Sequence, residues 1–161
     1  MPEVISDTSP LQYLHQAKCL DLLHILYRTV LVPEGVAEEI LEGRSLGYAL
    51  PDLAEIEWIR ITPVPQRRTL LLATDLGKGE REVLSLAAER PEAMAILDDA
   101  LARRMALHLG IRFTGTLGVL LRAKAAGHLE AIKPVVDRLQ ALGFRLDSKT
   151  RSAVLELAEE A

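Results

Sequence analysis

Five carboxylates in this chain lie at positions from which acidic side chains could bind a divalent metal ion: Asp7, Glu39, Glu80, Asp98 and Asp99. Each lies where a predicted strand or loop gives way to a helix, or on the inner face of a helix. In an open α/β sheet, ligands bind beyond the carboxyl ends of the strands. Carboxylates that meet there cannot all ionise without a nearby cation. The pattern therefore predicts a divalent-metal site.

The elements that would position these acids alternate between strands and helices. We predict strands at 4–6, 29–32, 58–61, 94–97 and 112–113. We predict helices at 9–27, 33–41, 80–89, 99–108, 116–126 and 129–142, and a last one from about 148. Proline and arginine mark a loop at 63–68, glycines mark a turn at 77–79, and 43–57 holds at most one short helix. This alternation predicts an α/β fold with a parallel sheet and helices on both faces.

Size and composition indicate one soluble domain. The 161 residues are 49% apolar but only 4% aromatic, so aliphatic side chains must build the core. The net charge of -4 gives no overall attraction to nucleic acid, although 19 Lys and Arg leave room for a basic face. The single cysteine, Cys19, excludes an intrachain disulfide. With no membrane span or signal peptide in the sequence, we expect a cytoplasmic protein.

Each acid also has a purely structural explanation. Asp7 could cap the first helix, although Thr8 or Ser9 could do so instead. Glu39 lies on the inner face that Val36 and Ile40 define, whereas Glu38 should point to water, and a rim glutamate reaching solvent is the alternative.

Glu80 begins the apolar stripe of its helix, where the helix dipole also favours an acid. One of Asp98 and Asp99 should cap the next helix while the other faces the site, and the sequence does not decide which. Thr114 and Thr116 close a further strand-to-helix turn near the same edge, and Thr116 could also be an N-cap.

Ordered along the chain, these segments together resemble the PIN-domain nucleases, in particular small prokaryotic members related to VapC-type toxins. The segments are ISDTSPL at 5–11, VPEGVAEEI at 32–40, GEREVL at 79–84, LDDALARRMA at 97–106 and TGTLGVL at 114–120. The resemblance covers most of the chain. It implies one PIN-like domain over 1–161, a three-layer α/β/α fold with a twisted, mainly parallel sheet, and 129–161 as a C-terminal helical extension.

The resemblance also implies a metal-dependent endoribonuclease that acts on single-stranded or loop RNA. It assigns catalysis to Asp7, Glu39, Glu80 and Asp98, and the metal to Asp7, Asp98, Asp99 and Glu80. Substrate contacts would come from Ser9, Thr114, Thr116, Arg103 and Arg104. Many relatives carry Thr-x-Asp where this chain has Leu97-Asp98-Asp99. Toxins of this class imply an antitoxin partner, and PIN relatives imply a homodimer.

Oxygen ligands suit Mg²⁺ or Mn²⁺, which recruit phosphate and activate water. A haloacid dehalogenase-type phosphatase is disfavoured, because it needs a general-acid Asp where this chain has Ser9. A response-regulator receiver is disfavoured because it needs an acidic pair at the first strand. The alternative to an enzyme is a catalytically weak PIN-like module that binds nucleic acid or a partner.

Overall fold

A computed structural model describes residues 3–65 and 75–161. Within them, five strands form one all-parallel sheet in the order β3-β2-β1-β4-β5. The strands are β1 (Val4–Ser6), β2 (Val30–Pro33), β3 (Ile59–Thr62), β4 (Met94–Ile96) and β5 (Arg112–Thr114). The helices are α1 (Thr8–Gln16), α2 (Asp21–Tyr27), α3 (Glu34–Ser45), α4 (Lys78–Ala88), α5 (Ala100–His108), α6 (Thr116–Ala125), α7 (Lys133–Ala141) and α8 (Ser148–Leu157). The predicted three-layer α/β/α fold is confirmed.

The sheet is buried on both faces at its centre and open at its edges. Every residue of β1 and β2 is buried, whereas most of β3 and β5 is exposed or half-buried. Burial on both faces is typical of parallel sheets that helices cover on each side. The strand order reverses at β1, since β2 and β3 lie to one side of it and β4 and β5 to the other. The crevice between the ends of β1 and β4 is therefore the switch point where such folds bind ligands.

The helix predicted for 9–27 is two helices. After Gln16 the chain turns through Lys18, whose φ is 61°, and the Cys19 N–H donates to the Leu14 carbonyl at 2.8 Å. This left-handed ending closes α1 before α2 begins at Asp21. Neither glycine nor proline marks the break, so local patterning missed it.

Other boundaries also differ from the prediction. Helix α3 continues past Gly43 to Ser45, so this glycine does not end the helix. An added Cβ at Gly43 would clash with Leu50 Cδ1, so the glycine makes room for that side chain. The predicted turn at 77–79 already holds the first residues of α4. Helix α7 begins at Lys133 rather than 129, and the short helix expected within 43–57 is a 3-10 turn at Leu53–Glu55, after the end of α3. Part of the loop predicted at 63–68 lies outside the described residues.

The C-terminal segment is fastened to α6 and α7 by one carboxylate. Glu160 accepts hydrogen bonds from the backbone N–H groups of Ile132 and Lys133, at 2.8 and 3.0 Å, and from Lys124 Nζ at 2.9 Å. These donors hold the pKa of Glu160 down at about 2. Among the described helices, none is long and apolar enough to cross a bilayer.

Candidate active site

Asp7 lies at the centre of the acidic region. It follows β1 directly, and its backbone N–H donates to the Ile96 carbonyl at 3.1 Å, which ties it to the end of β4. It occupies the N-cap position of α1, but its side chain makes no capping hydrogen bond. The capping explanation for this aspartate is therefore wrong. The carboxylate is left for another use, and only 5% of the residue is exposed.

The surroundings of Asp7 disfavour its charge. Burial is the largest effect and raises the pKa of Asp7 to about 7, against a hydrogen bond from the Thr8 backbone that lowers it. The carboxylates of Glu80, Glu39 and Asp98 raise the pKa further. Acids from α3, α4 and the end of β4 thus act on one buried carboxyl group. The fold brings together side chains that lie far apart in the sequence.

The two aspartates after β4 have separate contacts. Asp98 Oδ1 accepts from the Thr116 N–H at 2.8 Å, and Oδ2 accepts from Thr116 Oγ1 at 2.6 Å and from Ser9 Oγ at 2.9 Å. Asp99 is the N-cap of α5 and accepts from the Ala102 N–H at 2.9 Å. Asp98 therefore faces the Asp7 side of the crevice, and Asp99 is the capping residue.

Glu39 is placed by contacts with two other helices. Its Oε2 accepts from Thr8 Oγ1 at 2.6 Å, and its Oε1 accepts from the Gly79 N–H at 3.0 Å. Glu38, the next residue along α3, instead pairs with Lys78 at 2.9 Å and has a side chain that is 64% exposed. Helical phase therefore separated the two glutamates correctly.

Glu80 lies in the first turn of α4 and is half-buried. Burial raises its pKa most, and the charges of Asp99 and Glu39 raise it further, while the Gly77 backbone lowers it. The charge of Asp99 therefore raises the pKa of Glu80, although the Asp99 side chain also caps α5.

Sequence reasoning missed Glu82, a buried glutamate that contacts the same pair of helices. It is 5% exposed, and its Oε1 accepts from the Gly35 N–H at 2.9 Å. Glu82 from α4 thus binds the N-terminus of α3, while Glu39 from α3 binds the N-terminus of α4. Glycine lets each carboxylate come this close, because a Cβ at Gly35 would displace Glu82 and one at Gly79 would lie 2.7 Å from Glu39 Oε1. Helical spacing could have indicated that Glu82 is buried, since it lies three residues after Gly79 on the buried face of α4.

The remaining predicted residues fall into two groups. Ser9 and Thr116 both donate to Asp98, so they hold an acid of the site. Thr114 and Arg103 line a cleft that begins at Asp98, and the Arg103 guanidinium lies 5.1 Å from the centre of the Phe113 ring. Arg104 is exposed and is not among the described residues that line this cleft.

The donors available at the site are carboxylate and hydroxyl oxygens, which are the ligands that Mg²⁺ and Mn²⁺ prefer. A cation would also offset the like charges around Asp7. Among residues 3–65 and 75–161, however, no three His, Cys, Asp or Glu side chains converge closely enough to hold a metal ion. Glu39, Asp98 and Asp99 are turned towards hydroxyl and amide donors instead. The ligand types at the site thus suit a divalent metal ion. The carboxylates surround Asp7, but they do not converge on a single metal position.

Comparison with known protein families gives a match over nearly the whole chain. The family model DUF3368, described as a PIN domain, matches residues 3–160. Neither the curated proteins nor the solved structures gave a match. PIN domains are generally nucleases and typically use divalent metals. Since the family model spans nearly the whole chain, this protein belongs to the PIN-domain family.

Proposed function

We propose that this PIN domain is a metal-dependent endoribonuclease that hydrolyses phosphodiester bonds in single-stranded or loop RNA. The observation that carries the proposal is the environment of Asp7. A carboxyl group that is 5% exposed at the sheet's switch point is acted on by three further carboxylates. Such an arrangement destabilises the metal-free protein, so a role in binding a cation explains why it is built.

In this proposal Mg²⁺ or Mn²⁺ is held by Asp7 and Asp98, with Glu80 and Asp99 beside them. The ion would supply an activated water and offset the charge that develops on the phosphate. Ser9 and Thr116 orient Asp98 through the hydrogen bonds already formed.

Thr8 orients Glu39 in the same way. The negative charge of Glu39 would add to the negative potential at Asp7, which attracts a cation. Positioning of this kind by fixed donors is how an enzyme keeps its ligands in place before the substrate arrives.

Cleavage of an RNA panel tests the proposal. Structured and single-stranded RNAs are incubated with Mg²⁺, with Mn²⁺ or with EDTA, using the wild type, Asp7→Asn and Glu38→Gln. The last variant is the matched control, because it removes an exposed acid from α3, next to Glu39 in the sequence. Cleavage should require the metal, persist in Glu38→Gln and disappear in Asp7→Asn. Cleavage that is equal in Asp7→Asn and the wild type would refute the proposal.

A second candidate is a catalytically weak PIN-like module that binds nucleic acid or a partner. The absence of a converged group of three ligands among the described residues favours it. Under this alternative the wild type binds RNA, cleaves none of the panel with any metal, and binds equally well after Asp7→Asn.

We further propose one domain over 1–161, a cytoplasmic location, a homodimer, and an antitoxin partner if the nuclease serves as a toxin. Light scattering of the purified protein measures the oligomeric state. Toxicity on expression, relieved by a co-expressed neighbouring gene product, is the result expected of a toxin.

A further inference from the structure

A polar cleft leads away from the candidate active site. It has a volume of about 370 Å³ and begins at Asp98. One wall is formed by α5, β5 and the start of α6, and the other by residues 144–147 and the first turns of α8. The C-terminal extension thus contributes a wall of a cleft that opens at a proposed metal ligand.

Two arginines supply the cleft's positive charge. Arg103 and Arg145 both line it and are exposed, and neither forms a salt bridge with any residue that the structure describes. The acids of the cleft are already engaged. Asp98 is held by Ser9 and Thr116, and Asp147 accepts from the Thr150 N–H at 2.7 Å, which lowers its pKa. Among the charged side chains that line the cleft, the two guanidinium groups are thus the ones with no hydrogen bond or ion pair to a residue that the structure describes.

Two glycines of the cleft pack closely against its own residues. An added Cβ at Gly115 would be 2.9 Å from Asp98 Oδ1 and 3.5 Å from Arg103 Nη1. An added Cβ at Gly118 would clash with Thr114, so the two glycines let these side chains lie beside the cleft. The Arg103 guanidinium lies 5.1 Å from the centre of the half-buried Phe113 ring, a cation–π contact that holds the side chain beside the cleft.

We propose that this cleft binds the sugar–phosphate backbone of single-stranded RNA on one side of the cleavage point, with Arg103 and Arg145 each contacting a phosphate. The inference rests on the proposed function, which supplies the RNA. It adds Arg145 and the wall formed by the C-terminal extension. The polarity, the two free guanidinium groups and the opening at Asp98 match a phosphate-bearing chain better than an apolar ligand.

Binding is measured in EDTA, so the test does not depend on cleavage. A short fluorescein-labelled single-stranded RNA of mixed sequence is titrated with the wild type, Arg103→Gln, Arg145→Gln and Arg145→Lys across a salt series. Arg60→Gln is the matched control, because this exposed arginine lies on β3, at the edge of the sheet opposite β5, and does not line the cleft. Thermal melts confirm that each variant is folded.

Arg103→Gln and Arg145→Gln should each weaken binding by roughly 3- to 10-fold at low salt. Each should also reduce the slope of log K against log salt by about 0.7, the value for one phosphate contact on a single strand. Arg145→Lys should keep the slope, and Arg60→Gln should match the wild type.

The proposal would be overturned if Arg145→Gln bound the RNA with the affinity and salt slope of the wild type. It would also be overturned if the wild type did not bind the RNA. Arginine-dependent binding without cleavage would instead support the cleft and count against the nuclease.

Discussion

Replacing Asp7 with asparagine should stabilise the metal-free protein at neutral pH, although it removes the central group of the proposed site. Asp7 is 5% exposed, and burial together with the charges of Glu80, Glu39 and Asp98 raises its pKa from 3.8 to about 7. Ionising this carboxyl group therefore costs free energy in the folded protein that it does not cost in the unfolded chain. Asparagine has nearly the same shape and no charge to desolvate.

The sign of the pH dependence follows from the two pKa values. Between pH 3.8 and about 7 the folded state holds a proton on Asp7 that the unfolded state has lost, so stability falls as pH rises across that window. Above it the full penalty is present. At about 1.4 kcal/mol per pKa unit, the upper bound is about 4 kcal/mol. Relaxation of the site lowers this, and we expect about 2 kcal/mol, or roughly 4 to 8 °C in Tm for a domain of this size.

Thermal melts in EDTA from about pH 4 to about pH 8 check the prediction, within the range where the linkage applies. Asp7→Asn should melt above the wild type at the upper end, and the two should converge at the lower end. Added Mg²⁺ should then raise the Tm of the wild type and leave that of Asp7→Asn nearly unchanged. Glu38→Gln is the control, and it should not melt above the wild type at neutral pH, because it removes an exposed acid that pairs with Lys78.

One result would refute the reasoning about Asp7. If Asp7→Asn melts below the wild type at neutral pH in EDTA, its carboxylate is a stabilising structural group. The acids around it would then be balanced by interactions other than a bound cation.

Three further perturbations follow from the contacts. Gly79→Ala should lower the free energy of unfolding in urea by about 1 to 2 kcal/mol, although alanine favours helices, because its Cβ would lie 2.7 Å from Glu39 Oε1. Thr116→Val should cost about 1 to 3 kcal/mol in the same assay, since a donor to the Asp98 carboxylate is lost. Glu160 has its pKa lowered to about 2, so it stabilises the fold above its ordinary pKa of 4.5 and this is lost as pH falls between those values. Acid-induced unfolding of Glu160→Gln should therefore depend less on pH across that window.

The fold class could be predicted from sequence because alternating strand and helix patterns are local. All five predicted strands overlap the observed ones, and β5 extends one residue further than predicted, to Thr114. The break between α1 and α2 could not be predicted. It depends on Lys18 adopting a left-handed conformation with no glycine to signal it. Tertiary packing of the two helices overrides a continuous apolar pattern.

The candidate site was predictable residue by residue but not in its arrangement. Asp98 and Asp99 follow the same strand and satisfy the same local rule. Only Ser9, 89 residues away, and Thr116, 18 residues away, decide which of the two faces the crevice. Glu82 lies three residues after Gly79, at helical spacing on the buried face of α4, but no neighbouring residue indicates what its carboxylate would bind. Its partner, the Gly35 N–H, lies 47 residues earlier in the chain.

The number of hydrogen bonds that each carboxylate of the site accepts indicates where a bound cation would be most stabilising. Asp98 receives three hydrogen bonds, Glu39 receives two, and Asp99 receives one from the helix that it caps. Asp7 is the most buried of the five predicted acids, and its environment raises its pKa most. Hydrogen-bond donors thus partly offset the negative charges of Asp98, Glu39 and Asp99. Asp7 has a hydrogen bond from the Thr8 backbone. A cation beside Asp7 would lower the energy of the site more than a cation beside Asp98, Glu39 or Asp99. A metal-binding variant series should therefore show its largest loss at Asp7.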